Sequence, residues 1–154
     1  MSKSLPVIEY KFDRRVKTTK NQTKKHVSQF TSQEHFILST LISTIDAKQV
    51  NITNHAKNHI PFLSRSIIAQ TIAAFDVIEF NITNESPRVL IRSKKQLNII
   101  AEQGYERANV CIVISISDMS VVTAYLNCIG DSHDTLDMNR YDSTIDIVKH
   151  AMCN

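Results

Sequence analysis

Apolar and polar residues alternate most regularly between residues 76 and 127. Four runs there, DVIEFNI, RVLIRSK, NVCIVISIS and SVVTAYLN, carry the period of two that marks half-buried strands. The last two, Asn109–Ser117 and Ser120–Asn127, are separated only by Asp118-Met119. Two such runs so closely joined predict a hairpin. Alternation then sorts the side chains. Val110, Ile112, Ile114 and Ile116 form one apolar face and are expected to meet Val122, Ala124 and Leu126 in the core. Val121, Thr123, Tyr125 and Asn127 point the other way. In the earlier pair, Ile78, Phe80, Ile82, Val89 and Ile91 are expected to face inward. Val77, Glu79, Asn81, Arg88, Leu90 and Arg92 are expected to face outward. The pattern predicts a four-stranded antiparallel meander with one greasy face, to be covered by helices, and one polar face.

Helical spacing appears on either side of the meander. Thr31-Ser32 followed by Glu34 reads as a capped helix start, with Phe36, Ile37 and Leu41 on an apolar stripe. His55 and His59, four apart, share a helix face that Pro61 ends. Ser64 caps a helix over 65–75 whose Ile67, Ile68, Thr71 and Ile72 form the buried stripe. Lys48–Thr53 reads as a short strand or a turn. Gln96–Gln103 reads as a short helix stopped at Gly104. Ser143–Met152 reads as a final helix with Ile145, Val148 and Met152 inward. Residues 5–12 alternate as a short edge strand, and residues 13–30 have no period and read as a loosely held arm. The expected fold class is α+β: N-terminal helices packed on one face of the meander, with a short C-terminal helix. The expected organisation is a basic segment over 1–30 and one domain over 31–154.

At 154 residues the chain is long enough for a hydrophobic core without staples. Cys111, Cys128 and Cys153 are an odd set without paired spacing, which argues against a disulfide framework or a cysteine zinc site. They suit a reducing, cytoplasmic compartment. No apolar run approaches the roughly 20 residues of a membrane span, so no membrane partner is expected. The net charge of +3 is unevenly placed. Residues 1–30 hold eight Lys or Arg against two acids, whereas the remainder is net −3. Arg14, Arg15, Lys17, Lys24 and Lys25 belong to that basic segment, which is the footprint expected for a polyanion such as RNA.

Several chemistries lack their residues. HAKNH has the histidine spacing of a zinc protease but not its glutamate, and no third ligand is evident. No glycine-rich phosphate loop and no GxSxG elbow occurs. Cleavage of RNA by its own 2′-hydroxyl needs less: a general base, a general acid and cations on the phosphorane. Histidine suits the proton roles and arginine the phosphate. The candidates are His55, His59 or His133 for the first, Arg88 and Arg92 for the second, and Thr123 or Tyr125 to position a phosphate or base. No cofactor is called for.

Four pieces, NHAKNH (54–59), LSRSIIAQTIAAFDVIEF (63–80), RVLIRS (88–93) and VVTAY (121–125), resemble the barnase/EndoU/colicin/RelE-like ribonuclease superfamily, above all its phage- and toxin-associated members. The resemblance runs from Asn54 to Tyr125. It implies helices that precede and pack on a four-stranded antiparallel sheet, with RNA cut on the exposed sheet face without a metal. It also implies His55, Arg92, Thr123 and Tyr125 as the site, with Arg88 beside them. His59 stands where related toxin domains carry arginine. The expected function is therefore a metal-independent endoribonuclease, a toxin or phage effector, leaving a 2′,3′-cyclic phosphate. An antitoxin, immunity or host protein would be its partner. The alternative is a non-catalytic RNA- or protein-binding module on the same fold.

Overall fold

The computed structural model describes residues 23–82, 86–101, 104–128 and 138–152. The fold is α+β. Its sheet has six strands in the order β1-β3-β4-β5-β6-β2. These are β1 (Lys24–His26), β2 (Asn51–Ile52), β3 (Phe75–Asn81), β4 (Arg88–Ala101), β5 (Gly104–Ser115) and β6 (Ser120–Cys128). The helices are α1 (Ser32–Ser43), α2 (Asn54–His59), α3 (Arg65–Ala73) and α4 (Ile147–Met152). The four expected strands are present and antiparallel, but each edge carries one more. β1 joins β3 antiparallel, and β2 joins β6 parallel, so the sheet is mixed. The expected edge strand over 5–12 lies outside the described residues.

The helix starts follow their capping residues. The Thr31 hydroxyl accepts from the Glu34 N–H at 3.0 Å, and the Glu34 carboxylate accepts from the Thr31 N–H at 2.9 Å. This reciprocal pair satisfies two otherwise orphaned donors. Thr53 caps α2 and Ser64 caps α3 through their hydroxyls as well. Inward-facing Leu38, Ile42, Ala56 and Ile68 then pack on Phe80, Val89, Ile91, Val110, Ile112 and Ile114, all within one core. The helices therefore cover one sheet face, as the greasy side required.

Two β-bulges correct the expected faces. One interrupts β3 between Val77 and Glu79, so Val77 and Phe80 both turn into the core while Ile78 and Glu79 lie on the open side. Strict alternation places Val77 outward and Ile78 inward. On β6 the register shifts so that Ile114 opposes Val121 and Val113 opposes Thr123. Val121 is thus fully buried, whereas Val122, the inserted residue, is only partly covered. A bulge adds one residue to one strand and resets its phase, which also bends and twists the sheet.

Three elements differ more. The helix expected over Gln96–Gln103 is absent as far as Ala101, where the chain continues β4 and pairs with β5 from Gln96↔Asn109 to Ala101↔Gly104. Ladder pairing overrides the local helix preference here. A register shift after Arg92 is pinned by Ser93, whose hydroxyl accepts from the Val110 N–H at 2.9 Å and donates to the Lys95 carbonyl at 2.7 Å. Lys24–His26, expected in a loose arm, is a sheet strand. The final helix starts at Ile147 rather than Ser143 because the Asp142 side chain holds Thr144 in a turn, accepting its N–H at 2.8 Å.

β1 is tied in by a buried ion pair. Lys25 Nζ lies 2.7 Å from Glu34 Oε1 and donates to the Ile145 carbonyl at 2.8 Å. Glu34 Oε2 accepts from the Ile147 N–H at 2.9 Å. One carboxylate thus joins β1, the start of α1 and the start of α4. Lys25, expected to hold RNA, is only 4% exposed and is part of this clasp.

Candidate functional site

The open sheet face is built in rungs. Arg92 opposes Cys111, which opposes Tyr125. One rung along, Leu90 opposes Val113, which opposes Thr123, and one further Arg88 opposes Ser115, which opposes Ser120. A cavity of about 300 Å³ opens over the first of these rungs. Arg92, Cys111 and Tyr125 form its floor, with Glu79 on one side and Asn127 on the other. His26 from β1 and Tyr141, just past the 3-10 turn Met138–Arg140, line its rim.

Hydrogen bonds and burial set the state of several polar groups in the cavity. The Tyr141 hydroxyl donates to Glu79 Oε1 at 2.8 Å, and Lys24 Nζ lies 3.4 Å from Glu79 Oε2. The carboxylate is thereby fixed at both oxygens while retaining lone pairs for a further donor. The His26 ring packs edge-on to Tyr141 at 5.2 Å between centroids. Its Nδ1 accepts from the Ser28 N–H at 3.1 Å, which leaves the ring proton of the neutral form on Nε2. Burial pulls the His26 pKa below its ordinary value, with the Glu79 charge opposing. The Tyr125 phenol is pushed up to about 12, mainly by burial and then by its contact with Cys111, while Arg92 pulls it down. Burial also raises the Cys111 thiol, and it raises the Tyr141 phenol, which in addition serves Glu79. At neutral pH both phenols and the thiol are protonated: they are donors, not nucleophiles or bases.

The structure brings Arg92 and Tyr125 together, two strands apart on one rung. Thr123 is on the same face, one rung away, but does not line the cavity. Arg88 is two rungs away and lines a different pocket with Thr53, Ser86 and Ser120. The His55 and His59 rings lie against each other, tilted by 44°, at 4.8 Å between centroids. They are exposed on α2, whose Ala56 points into the core, and neither lines the Arg92 cavity. Among the described residues no group of three His, Cys, Asp or Glu could hold a metal ion. Arg14, Arg15, Lys17 and His133 lie outside the described residues.

Glu79, His26, Cys111 and Tyr141 were not expected at the site, although alternation does place Glu79 on the open face. Cys111 follows from alternation, since it faces away from Val110 and Ile112. His26 and Tyr141 leave no such signal, because a three-residue strand and a single bridge to Lys24 hold them.

No protein-family model, curated protein or solved structure matches the chain. Among the described residues no helix is long and apolar enough to cross a membrane.

Proposed function

We propose that the chain is an endoribonuclease that needs no metal and works in the Arg92 cavity. One observation carries this: a single hollow on the open face gathers a guanidinium, a fixed carboxylate, an imidazole and two phenolic donors. That is the inventory that 2′-hydroxyl attack on a phosphodiester requires. Glu79 takes the 2′-hydroxyl proton. Arg92 and the Tyr125 hydroxyl hold the non-bridging oxygens as charge builds on them. Protonated His26, with Nδ1–H turned to the Ser28 hydroxyl 2.8 Å away, delivers the Nε2 proton to the departing 5′-oxygen. The products are a 2′,3′-cyclic phosphate and a free 5′-hydroxyl, and hydrolysis of the cycle would restore Glu79 and His26. In this mechanism Glu79 and His26 take the proton-transfer roles for which the sequence offered His55, His59 or His133. A toxin or phage effector with an antitoxin or immunity partner is compatible with this chemistry, and the resemblance is its support.

The test is incubation with total RNA and tRNA in EDTA, with end-group analysis. Fragments ending in 2′,3′-cyclic phosphate are expected, lost in Glu79→Gln and Arg92→Gln and retained in His55→Ala. If His55→Ala abolishes cleavage while Glu79→Gln retains it, Glu79 is not the base and the chemistry does not occur in the Arg92 cavity. Intact RNA that is nevertheless bound would make the chain a binding module.

A further inference from the structure

A second polar pocket, of about 540 Å³, opens on the sheet around Arg88. Arg88 Nε is shielded from solvent and has no hydrogen-bond partner. Among the described residues no carboxylate lies within ion-pair distance of its guanidinium. Hydroxyls surround it instead: Ser86 Oγ lies 2.6 Å from Ser115 Oγ and 2.7 Å from Ser117 Oγ. Among the described residues the acid in the lining is Asp118, which accepts from the Ser120 hydroxyl at 2.9 Å. Nε itself is closed to a ligand, but the side chain is only partly buried and lines the pocket, so the terminal nitrogens of its guanidinium are the donors that meet two oxygens of a phosphate.

We infer that the Arg88 pocket is a second phosphate subsite, which takes a phosphodiester of the same RNA strand whose reacting phosphate lies at Arg92. This rests on the ribonuclease reading for the identity of the strand, not for the anion. Arg88 and Arg92 share a face four residues apart, about 13 Å along β4. The partly buried rung of Leu90, Val113 and Thr123 lies between them, so one extended strand can cross both. Asp118 weakens the pocket's hold on any anion, and the attraction of Arg88 and the repulsion of Asp118 both grow with the anion's charge. The preference for an internal backbone phosphate therefore comes from the partly buried rung and the Arg92 cavity beside it, which a strand covers and free phosphate does not.

Two experiments test this independently. In the first, the Arg88 Nε–H resonance is followed by NMR during titration with dimethyl phosphate, inorganic phosphate and a single-stranded RNA oligonucleotide. Saturable movement is expected with RNA and, at higher concentration, with dimethyl phosphate or inorganic phosphate. Asp118→Asn is expected to strengthen binding several-fold without touching Arg88. A resonance unmoved by saturating RNA overturns the subsite, and a stronger response to inorganic phosphate than to RNA assigns the pocket to a free anion instead. In the second, Arg88→Gln, checked by thermal melting, is expected to raise KM about tenfold for an oligonucleotide spanning both arginines, the scale of one charge-assisted phosphate contact, and to affect dinucleotide cleavage far less. Equal effects on both substrates would overturn the subsite. If RNA is never cut but the resonance still responds, the ribonuclease reading falls and the subsite stands.

Discussion

Tyr125 illustrates how the cavity assigns roles one residue at a time. A phenol whose pKa is about 12 stays protonated through the whole physiological range. It serves a developing oxyanion only as a donor. Tyr125→Phe is expected to lower cleavage roughly 10²-fold, the scale of losing one such donor, with little change in melting temperature. Absorbance titration should show one phenolate step near pH 12 that this variant lacks. His26 has the opposite bias: its lowered pKa means that the protonated form is populated only on the acid side of the ordinary value of 6.5. Cleavage should therefore fall as pH rises through that lowered pKa, and His26→Asn should slow the reaction and remove this limb from the pH–rate profile. Cys111, buried and with a raised thiol pKa, should resist iodoacetamide at mildly alkaline pH in the folded chain and react on unfolding, as read by peptide mapping. Arg92, Tyr125 and Glu79 were legible from alternation alone. His26 and Tyr141 were not, because side chains held by one bridge or by a strand of three residues have no period to read.

The Lys25–Glu34 clasp is the element-scale counterpart. It fastens an edge strand to the starts of two helices. Removing one partner strands the other charge in the interior, so Lys25→Met is expected to cost roughly 3–5 kcal/mol in denaturant unfolding. Lys25→Met combined with Glu34→Leu should recover part of that loss. Burial pushes Glu34 up, but hydrogen bonds from Lys25, Thr31 and Ile147 outweigh it, leaving the pKa below its ordinary value of 4.5. A depressed carboxylate stabilises the fold above its unfolded value. That stability is lost as pH falls through the folded one, so acid should loosen β1 and α4, and Glu34→Gln should flatten this dependence. The sequence disclosed Glu34 as a capping residue and nothing more, since its partners are 9 and 113 residues away. The bulges were hidden for a related reason. Each spare residue, Ile78 or Val122, follows another apolar residue, Val77 or Val121, so either member of the pair could face the core and the pattern does not show where the phase changes. The helix expected over 96–103 failed because a ladder with β5, invisible in a local window, competes for the same backbone.

Across the whole molecule, the Arg92 cavity and the helix packing are divided between the two sheet faces. RNA binding on the open face should weaken with salt in proportion to the phosphates neutralised. Deleting residues 1–22, which carry much of the basic segment, should reduce both affinity and salt slope in a filter-binding assay. The α+β class and the central four strands could be read from the chain because hydrophobic alternation encodes them directly. The outer strands could not, as β2 has two residues and β1 three. Their shortness has a consequence for how the protein meets other chains. β1 already gives the Lys24 carbonyl to the Asp142 N–H at 2.7 Å, and β2 is too brief to template anything. Neither β1 nor β2 offers a row of unsatisfied peptide groups on which a foreign strand could extend the sheet. The open margin lies elsewhere: beyond Ser93, Gln96–Ala101 of β4 pairs only with β5 among the described residues. A foreign strand or a second copy would add along this projecting hairpin, and a protein inhibitor has both that margin and the side chains of the open face to recognise.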